Sequence, residues 1–195
     1  MWKADRERYP KFAFVFERSI WAVGVLRFGQ WVDAIDARLP RLLGRVAYQA
    51  LFVVAETLTG ISIPKSTSVG PGLRIFHTGG VVVHERAHLG ANCTLRHGVT
   101  IGMRSAKGGV PVIGDNVDIG ACAMILGGVV VGDGAKIGAG AMVQVDVPPG
   151  GVAYAPRAVI SEPTVAAPEP SKLPSARGHL KAMPVVGIDE DTVAN

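Results

Sequence analysis

From Ile63 onward an aliphatic or small residue recurs at every sixth position: Val69, Ile75, Val81, Ala87, Cys93 and Val99. The step is lost across a Gly-rich stretch, resumes at Ile113, and continues through Ile119, Ile125, Val131, Ile137 and Val143. A period of six is neither the alternation of a half-buried strand nor the 3.6-residue period of a helix. It predicts a solenoid in which each hexapeptide supplies one short strand and one turn. Three hexapeptides close a three-sided coil of about 18 residues, with the stepped side chain inside and each coil stacked on the next. An alternating antiparallel sandwich would show period two and is excluded. Gly often follows the stepped residue, at Gly70, Gly114, Gly120, Gly132 and Gly138. Glycine there is expected to serve an unusual φ or close packing.

The pattern divides the chain into three zones. Residues 1–60 lack the repeat. Leu42, Val46, Ala50, Val53 and Val54 recur at helical spacing, so the zone is predicted to be an α-helical cap, with Pro40 separating two helices. Phe12, Phe14, Phe16, Trp21, Phe28 and Trp31 cluster here. A buried cap interface and a peripheral membrane contact both account for them. Residues 61–160 form the predicted solenoid. The segment from Gly102 to Pro111, GMRSAKGGVP, fits no strand and reads as a loop extruded from one corner. Residues 161–195 are rich in Pro, Ser and Ala and are expected to be a flexible tail.

Composition supports a turn-rich β fold: 25 glycines accompany only 18% charged residues in 195. The net charge of +4 comes without a basic run interleaved with aromatics, so nucleic acid is not an expected partner. Cys93 and Cys122 form no CxxC pair and are expected to be reduced thiols, Cys93 as core filler and Cys122 at an accessible turn. No signal peptide and no apolar run of membrane-spanning length is recognisable, and a cytoplasmic location is expected.

The candidate chemistry rests on histidine. Five are present: His77, His84, His88, His97 and His179. A neutral imidazole is the natural general base near pH 7 for removing a proton from a hydroxyl. The stretch Phe76-His77-Thr78-Gly79-Gly80-Val81-Val82-Val83, with Gly98-Val99-Thr100-Ile101-Gly102, Ile137-Gly138-Ala139-Gly140-Ala141, Val147-Pro148-Pro149 and Ala155-Pro156-Arg157, resembles the serine acetyltransferases. The helical start with Leu26-Arg27-Phe28-Gly29 resembles the branch of that family found in exopolysaccharide gene clusters.

That resemblance implies a left-handed parallel β-helix, assembled as a homotrimer or a dimer of trimers. It further implies acetyl-CoA as acyl donor, lying in the groove between neighbouring solenoids, with no metal. It makes His77 the catalytic base with Ser62 in the orienting position, and Phe76, His97 and Glu85 the acceptor contacts. Gly102, Met103, Ala121 and Ala139 become the cofactor wall, and Lys136 a phosphate contact.

The departures from the family are as informative. Ser62 stands where the family has an aspartate that orients the histidine, and Phe76 where it has one that contacts the serine amine. Gly109-Val110 stand where an Arg-His pair binds the substrate carboxylate. The expectation is therefore an acetyl-CoA-dependent O-acetyltransferase whose acceptor is a sugar, with a true serine O-acetyltransferase as the alternative. Two rivals share the scaffold: a zinc hydratase resembling the γ-class carbonic anhydrases, using His84, His88 and His97, and a non-catalytic solenoid scaffold, for which Ser62 in place of aspartate argues.

Overall fold

The computed structural model describes residues 1–158; the predicted tail and His179 lie outside them. The first sixty residues form four helices: α1 (Trp2–Glu7), α2 (Ala13–Phe16), α3 (Ser19–Asp33) and α4 (Arg38–Thr59). Pro40 does not separate helices. α4 begins at Arg38, so Pro40 lies in its first turn, where a missing N–H removes no intrahelical bond. α4 ends at Gly60 (φ +64°), whose N–H donates to the Glu56 carbonyl at 2.7 Å.

Fourteen short strands follow, arranged as three parallel sheets that form the sides of a prism. The first side stacks β1 (Ile61–Ser62), β4 (Val81–Val83), β7 (Thr100–Gly102), β10 (Met124–Leu126) and β13 (Met142–Val143). The second stacks β2 (Ser68–Val69), β5 (His88–Leu89), β8 (Val112–Ile113) and β11 (Val130–Val131). The third stacks β3 (Arg74–Phe76), β6 (Thr94–Arg96), β9 (Asp118–Ile119), β12 (Lys136–Ile137) and β14 (Val152–Ala153).

All thirteen stepped positions are buried, none more than 4% exposed. The pairing nevertheless corrects the uniform coil of 18 residues. Ile75 pairs with Leu95, a step of twenty, Leu89 with Ile113, a step of twenty-four, and only then Ile113 with Val131, a step of eighteen. Each hexapeptide sends two side chains inward, two places apart, such as Ala123 with Ile125 and Ala135 with Ile137. The partner of Ile63, Val69 and Ile75 in the next coil is therefore Val83, Leu89 and Leu95. Stepping by six slides onto the smaller inward set at Val81, because the corner at residues 77–80 holds two extra residues. The second enlargement is the loop expected between Gly102 and Pro111.

The glycines after the stepped residues answer to close stacking and not to φ. A Cβ on Gly120 would lie 2.4 Å from the Ala139 nitrogen, one on Gly70 2.6 Å from that of Ala91, and one on Gly132 2.4 Å from that of Pro149. Positive φ falls at other corner positions, one ladder running through Gly72, Asn92, Asn116, Gly134 and Gly150.

The helices dock on the first coil through a buried polar cluster. Arg27 pairs with Asp5 at 2.7 Å and donates to the carbonyls of Val69 (2.8 Å) and Gly70 (2.6 Å). Asp5 accepts from the Leu73 N–H at 2.8 Å. Arg8 reaches the carbonyls of Gly72 and Cys93. The aromatic cluster divides: Phe12, Phe14, Phe16 and Trp31 are exposed, and α4 presents Leu39, Leu42, Leu43, Val46, Val53 and Val54 outward. Among the described residues no helix is long and apolar enough to cross a membrane.

Candidate active site

The corner joining the third side to the first repeats one left-handed residue per coil: Gly60, Gly80, Gly98, Cys122 and Gly140, with φ between +57° and +71°. The two-residue enlargement lies here. It places His77 at φ +65° and Gly79 at φ +110°. A non-glycine residue held left-handed costs on the order of 1 kcal/mol or more and persists only where neighbours impose it. Here the Gly79 N–H donates to the Thr59 carbonyl (2.7 Å), and the Gly79 carbonyl accepts from Gly98 (2.9 Å).

The His77 ring is exposed, with no hydrogen bond to either ring nitrogen among the described residues. His97 occupies the equivalent place one coil on, its ring centroid 6.0 Å from that of His77 and the planes 63° apart. The His97 carbonyl accepts from Cys122 at 2.9 Å, so the histidine pair and the exposed thiol share one corner.

A cavity of about 280 Å³ opens beside His77, walled by residues 76–78 and by residues 16–19, where α2 hands over to α3. Arg74 organises its wall. Its guanidinium lies 4.2 Å from the Tyr9 ring centroid and 4.4 Å from that of Phe76, and it donates to the Arg8 carbonyl. It also ties down Glu17, with Nη2 3.1 Å from Oε1 and 3.0 Å from Oε2. Only the Oε1 contact has hydrogen-bond geometry, leaving Glu17 Oε2 and Arg74 Nε as buried polar atoms without a bond. Ser19 Oγ donates to the Ile75 carbonyl at 2.8 Å, and the Tyr9 hydroxyl accepts from the Ile75 N–H at 3.0 Å. Burial pushes the Tyr9 hydroxyl above its ordinary pKa, so it stays neutral. Arg18 is exposed at the cavity and joins no ion pair among the described residues.

The predicted site residues fall in four places. His77, Phe76 and His97 are together, and Ala121 and Ala139 lie on the same corner one and two coils further on. Gly102, Met103 and Glu85 lie at the opposite edge of the first side, Gly102 closing β7 and Met103 and Glu85 beyond the ends of β7 and β4. Lys136 is exposed on β12, paired in register with Asp118 and Val152. Ser62 is half-buried on β1 beside Val82, with no hydrogen bond to His77. The remaining described histidines are occupied locally. His84 Nδ1 accepts from the Arg86 N–H at 3.1 Å, and His88 Nδ1 is 2.9 Å from Ser68 Oγ. Among the described residues no three metal-binding side chains gather.

Glu17, Arg18, Ser19 and Arg74 escaped the sequence reading, because a helix–helix junction has no repeat to mark it. The enlarged corner had a signal in the Gly79-Gly80 pair next to the histidine.

Residues 111–144 match the family model "Bacterial transferase hexapeptide (six repeats)". A serine acetyltransferase of Mycobacterium tuberculosis is 36% identical over 120 residues, 58% of this chain and 49% of that protein. The solved soybean serine acetyltransferase apoenzyme superposes with a TM-score of 0.66 at 34% identity, over 80% of this chain and 63% of that one. The Brucella abortus serine acetyltransferase solved with coenzyme A gives 0.65 at 27% identity, over 80% and 62%. The chain carries the hexapeptide repeat and is similar to the serine acetyltransferases. Its solenoid is the left-handed parallel β-helix of those enzymes. It spans about half the length of the mycobacterial relative, and 32% of the Helicobacter pylori one.

Proposed function

We propose that this chain transfers the acetyl group of acetyl-CoA to a hydroxyl of a saccharide, with His77 as general base. The observation that carries the reading is the enlarged corner, which holds an otherwise unbonded imidazole at the mouth of a cavity whose one carboxylate, Glu17, is paired with Arg74. The hydroxyl oxygen attacks the thioester carbonyl carbon as His77 accepts its proton. The tetrahedral intermediate then collapses, the C–S bond breaks, and the imidazolium returns the proton to the departing thiolate. The products are the O-acetyl ester and free coenzyme A. Neither a nucleophilic serine nor cysteine is required, because the thioester is already activated.

Acetyl-CoA is proposed to lie along small residues, with Ala121 and Ala139 on one corner and Gly102 with Met103 on another, and with Lys136 toward its phosphates. A homotrimer is the proposed assembly. Outward-facing Val82 and Met142 on the first side, and Val112 and Val130 on the second, are apolar surfaces suited to packing against neighbouring prisms. The second reading is transfer to L-serine, favoured by the name of the curated relatives and by a similar Neisseria gonorrhoeae enzyme solved with serine. Release of coenzyme A thiol, followed against L-serine and against a panel of sugars, separates the two. Efficient acetylation of L-serine with sugars ignored overturns the saccharide reading.

A further inference from the structure

We infer that the cavity at the α2–α3 junction is the acceptor subsite and that Arg18 there reads an anionic group, phosphate or carboxylate, on the acceptor saccharide. This deepens the acetyl-transfer reading and rests on it for the identity of the reaction.

The cavity has a specific charge inventory. Its one carboxylate, Glu17, is paired in charge with Arg74, which hydrogen-bonds Oε1 at 3.1 Å and lies 3.0 Å from Oε2. Its hydroxyl at Ser19 is committed to the Ile75 carbonyl. Arg74 is in turn enclosed by Tyr9, Phe76 and Glu17 and cannot turn toward a ligand without abandoning them. The nearby Arg96 is paired with Asp118. Arg18 is the one charge left uncompensated at the cavity among the described residues, and its planar fork suits bidentate binding of phosphate or carboxylate.

The two buried polar atoms without a bond, Glu17 Oε2 and Arg74 Nε, both belong to this wall. Such groups are uncommon and mark places where packing is subordinated to something else. The same inventory bears on a zwitterion. An amine needs a carboxylate of uncompensated charge, and that of Glu17 is already matched by Arg74, so an amino acid would bring its ammonium to a pocket with no net negative charge to meet it. An acid-bearing saccharide meets Arg18 with its charge, Phe76 with an apolar ring face, Thr78 with a hydroxyl and His77 with the reacting hydroxyl.

The test uses the full-length protein and four acceptors: glucose, glucuronic acid, glucose 6-phosphate and L-serine. Binding is measured by calorimetry and turnover by coenzyme A thiol release, for the unaltered protein, Arg18→Gln and Arg18→Lys. The expected result is that the two anionic sugars bind and react at least about tenfold better than glucose, as loss of a charged hydrogen bond implies. Arg18→Gln removes that preference, lowering binding and turnover of the two anionic sugars at least about tenfold more than those of glucose, and Arg18→Lys restores part of it. Preference for only one anion identifies whether phosphate or carboxylate is the group read. Anion binding lost in Arg18→Gln, without thiol release from any acceptor, supports the subsite and overturns the acetyl-transfer reading. Thiol release with equal efficiency on glucose and both acids, or equal losses on all acceptors in Arg18→Gln, overturns the subsite.

Discussion

His77 and His97 stand one above the other at the same corner of successive coils, ring centroids 6.0 Å apart and planes inclined by 63°. Only His77 lies in the enlarged turn and borders the cavity. The roles proposed for them therefore differ. His77→Asn is expected to lower kcat by roughly 10²–10⁴, the range typical of a lost general base. His97→Asn is expected to raise the KM for the acceptor with a smaller change in kcat. Steady-state thiol-release kinetics on both variants checks this. Equal kcat losses, or unchanged kcat in His77→Asn, would reject His77 as the base.

The glycines split into two kinds, and substitution should separate them. Gly120 is closed in by the backbone of the next coil, where a Cβ would lie 2.4 Å from the Ala139 nitrogen. Gly140 has φ +69° but open space around its Cβ position. Gly120→Ala must push two coils apart and is expected to cost about 1–3 kcal/mol, as overpacking does. Gly140→Ala bears only the left-handed strain, on the order of 1 kcal/mol, and Gly140→Asn should recover most of it, as Asn92 and Asn116 show by adopting that conformation. Urea unfolding of the three variants gives the ranking directly.

Arg27 joins the helices to the solenoid with almost no solvent contact, its side chain 5% exposed and that of Asp5 fully buried. Removing one partner leaves a buried charge and two carbonyls, of Val69 and Gly70, without their donor. Arg27→Ala is expected to destabilise by about 3–5 kcal/mol, the usual range for breaking a buried ion pair. Asp5→Asn should cost less, because the amide oxygen can still accept from the Leu73 N–H. Denaturant midpoints compared at constant m-value check the order.

The prism was legible from one feature, the sixth-place aliphatic, because a solenoid repeats the same local geometry and each repeat restates the signal. The coil lengths were not. Val81 and Val83 both face inward, so a two-residue insertion moves the register from one apolar set to the other without putting a polar side chain inside. Pro40 misled for a local reason: proline is tolerated in a first turn, and the residues ending α3 carry no comparably loud breaker. His77 could be singled out through family resemblance, whereas Arg18 and the Glu17–Arg74 pair could not. They come together across about sixty residues of chain, and no local pattern encodes that contact.

The two thiols occupy opposite environments on adjacent coils, and alkaline pH should distinguish them. Cys122 is exposed at its left-handed corner, whereas Cys93 sits in the inner file with its Sγ donating to the Gly114 carbonyl at 3.3 Å. Burial pushes the Cys93 thiol up to about 11 from an ordinary value of 9.0. The group is neutral in both states below pH 9, so it adds no pH dependence there. Between pH 9 and 11 the unfolded chain releases the proton and the folded one retains it, so the folded state binds more protons and stability falls as pH rises. The full fall is roughly 3 kcal/mol, complete above pH 11. Cys93→Ala should have a lower stability at neutral pH and lack this alkaline component, which urea unfolding at pH 8, 9.5 and 11 resolves by difference from the unaltered protein. Native protein should meanwhile yield one fast-reacting thiol to a disulfide reagent, from Cys122, and a second only on unfolding. Two fast thiols, or parallel pH profiles for the two proteins, would show that Cys93 is not sealed inside the prism.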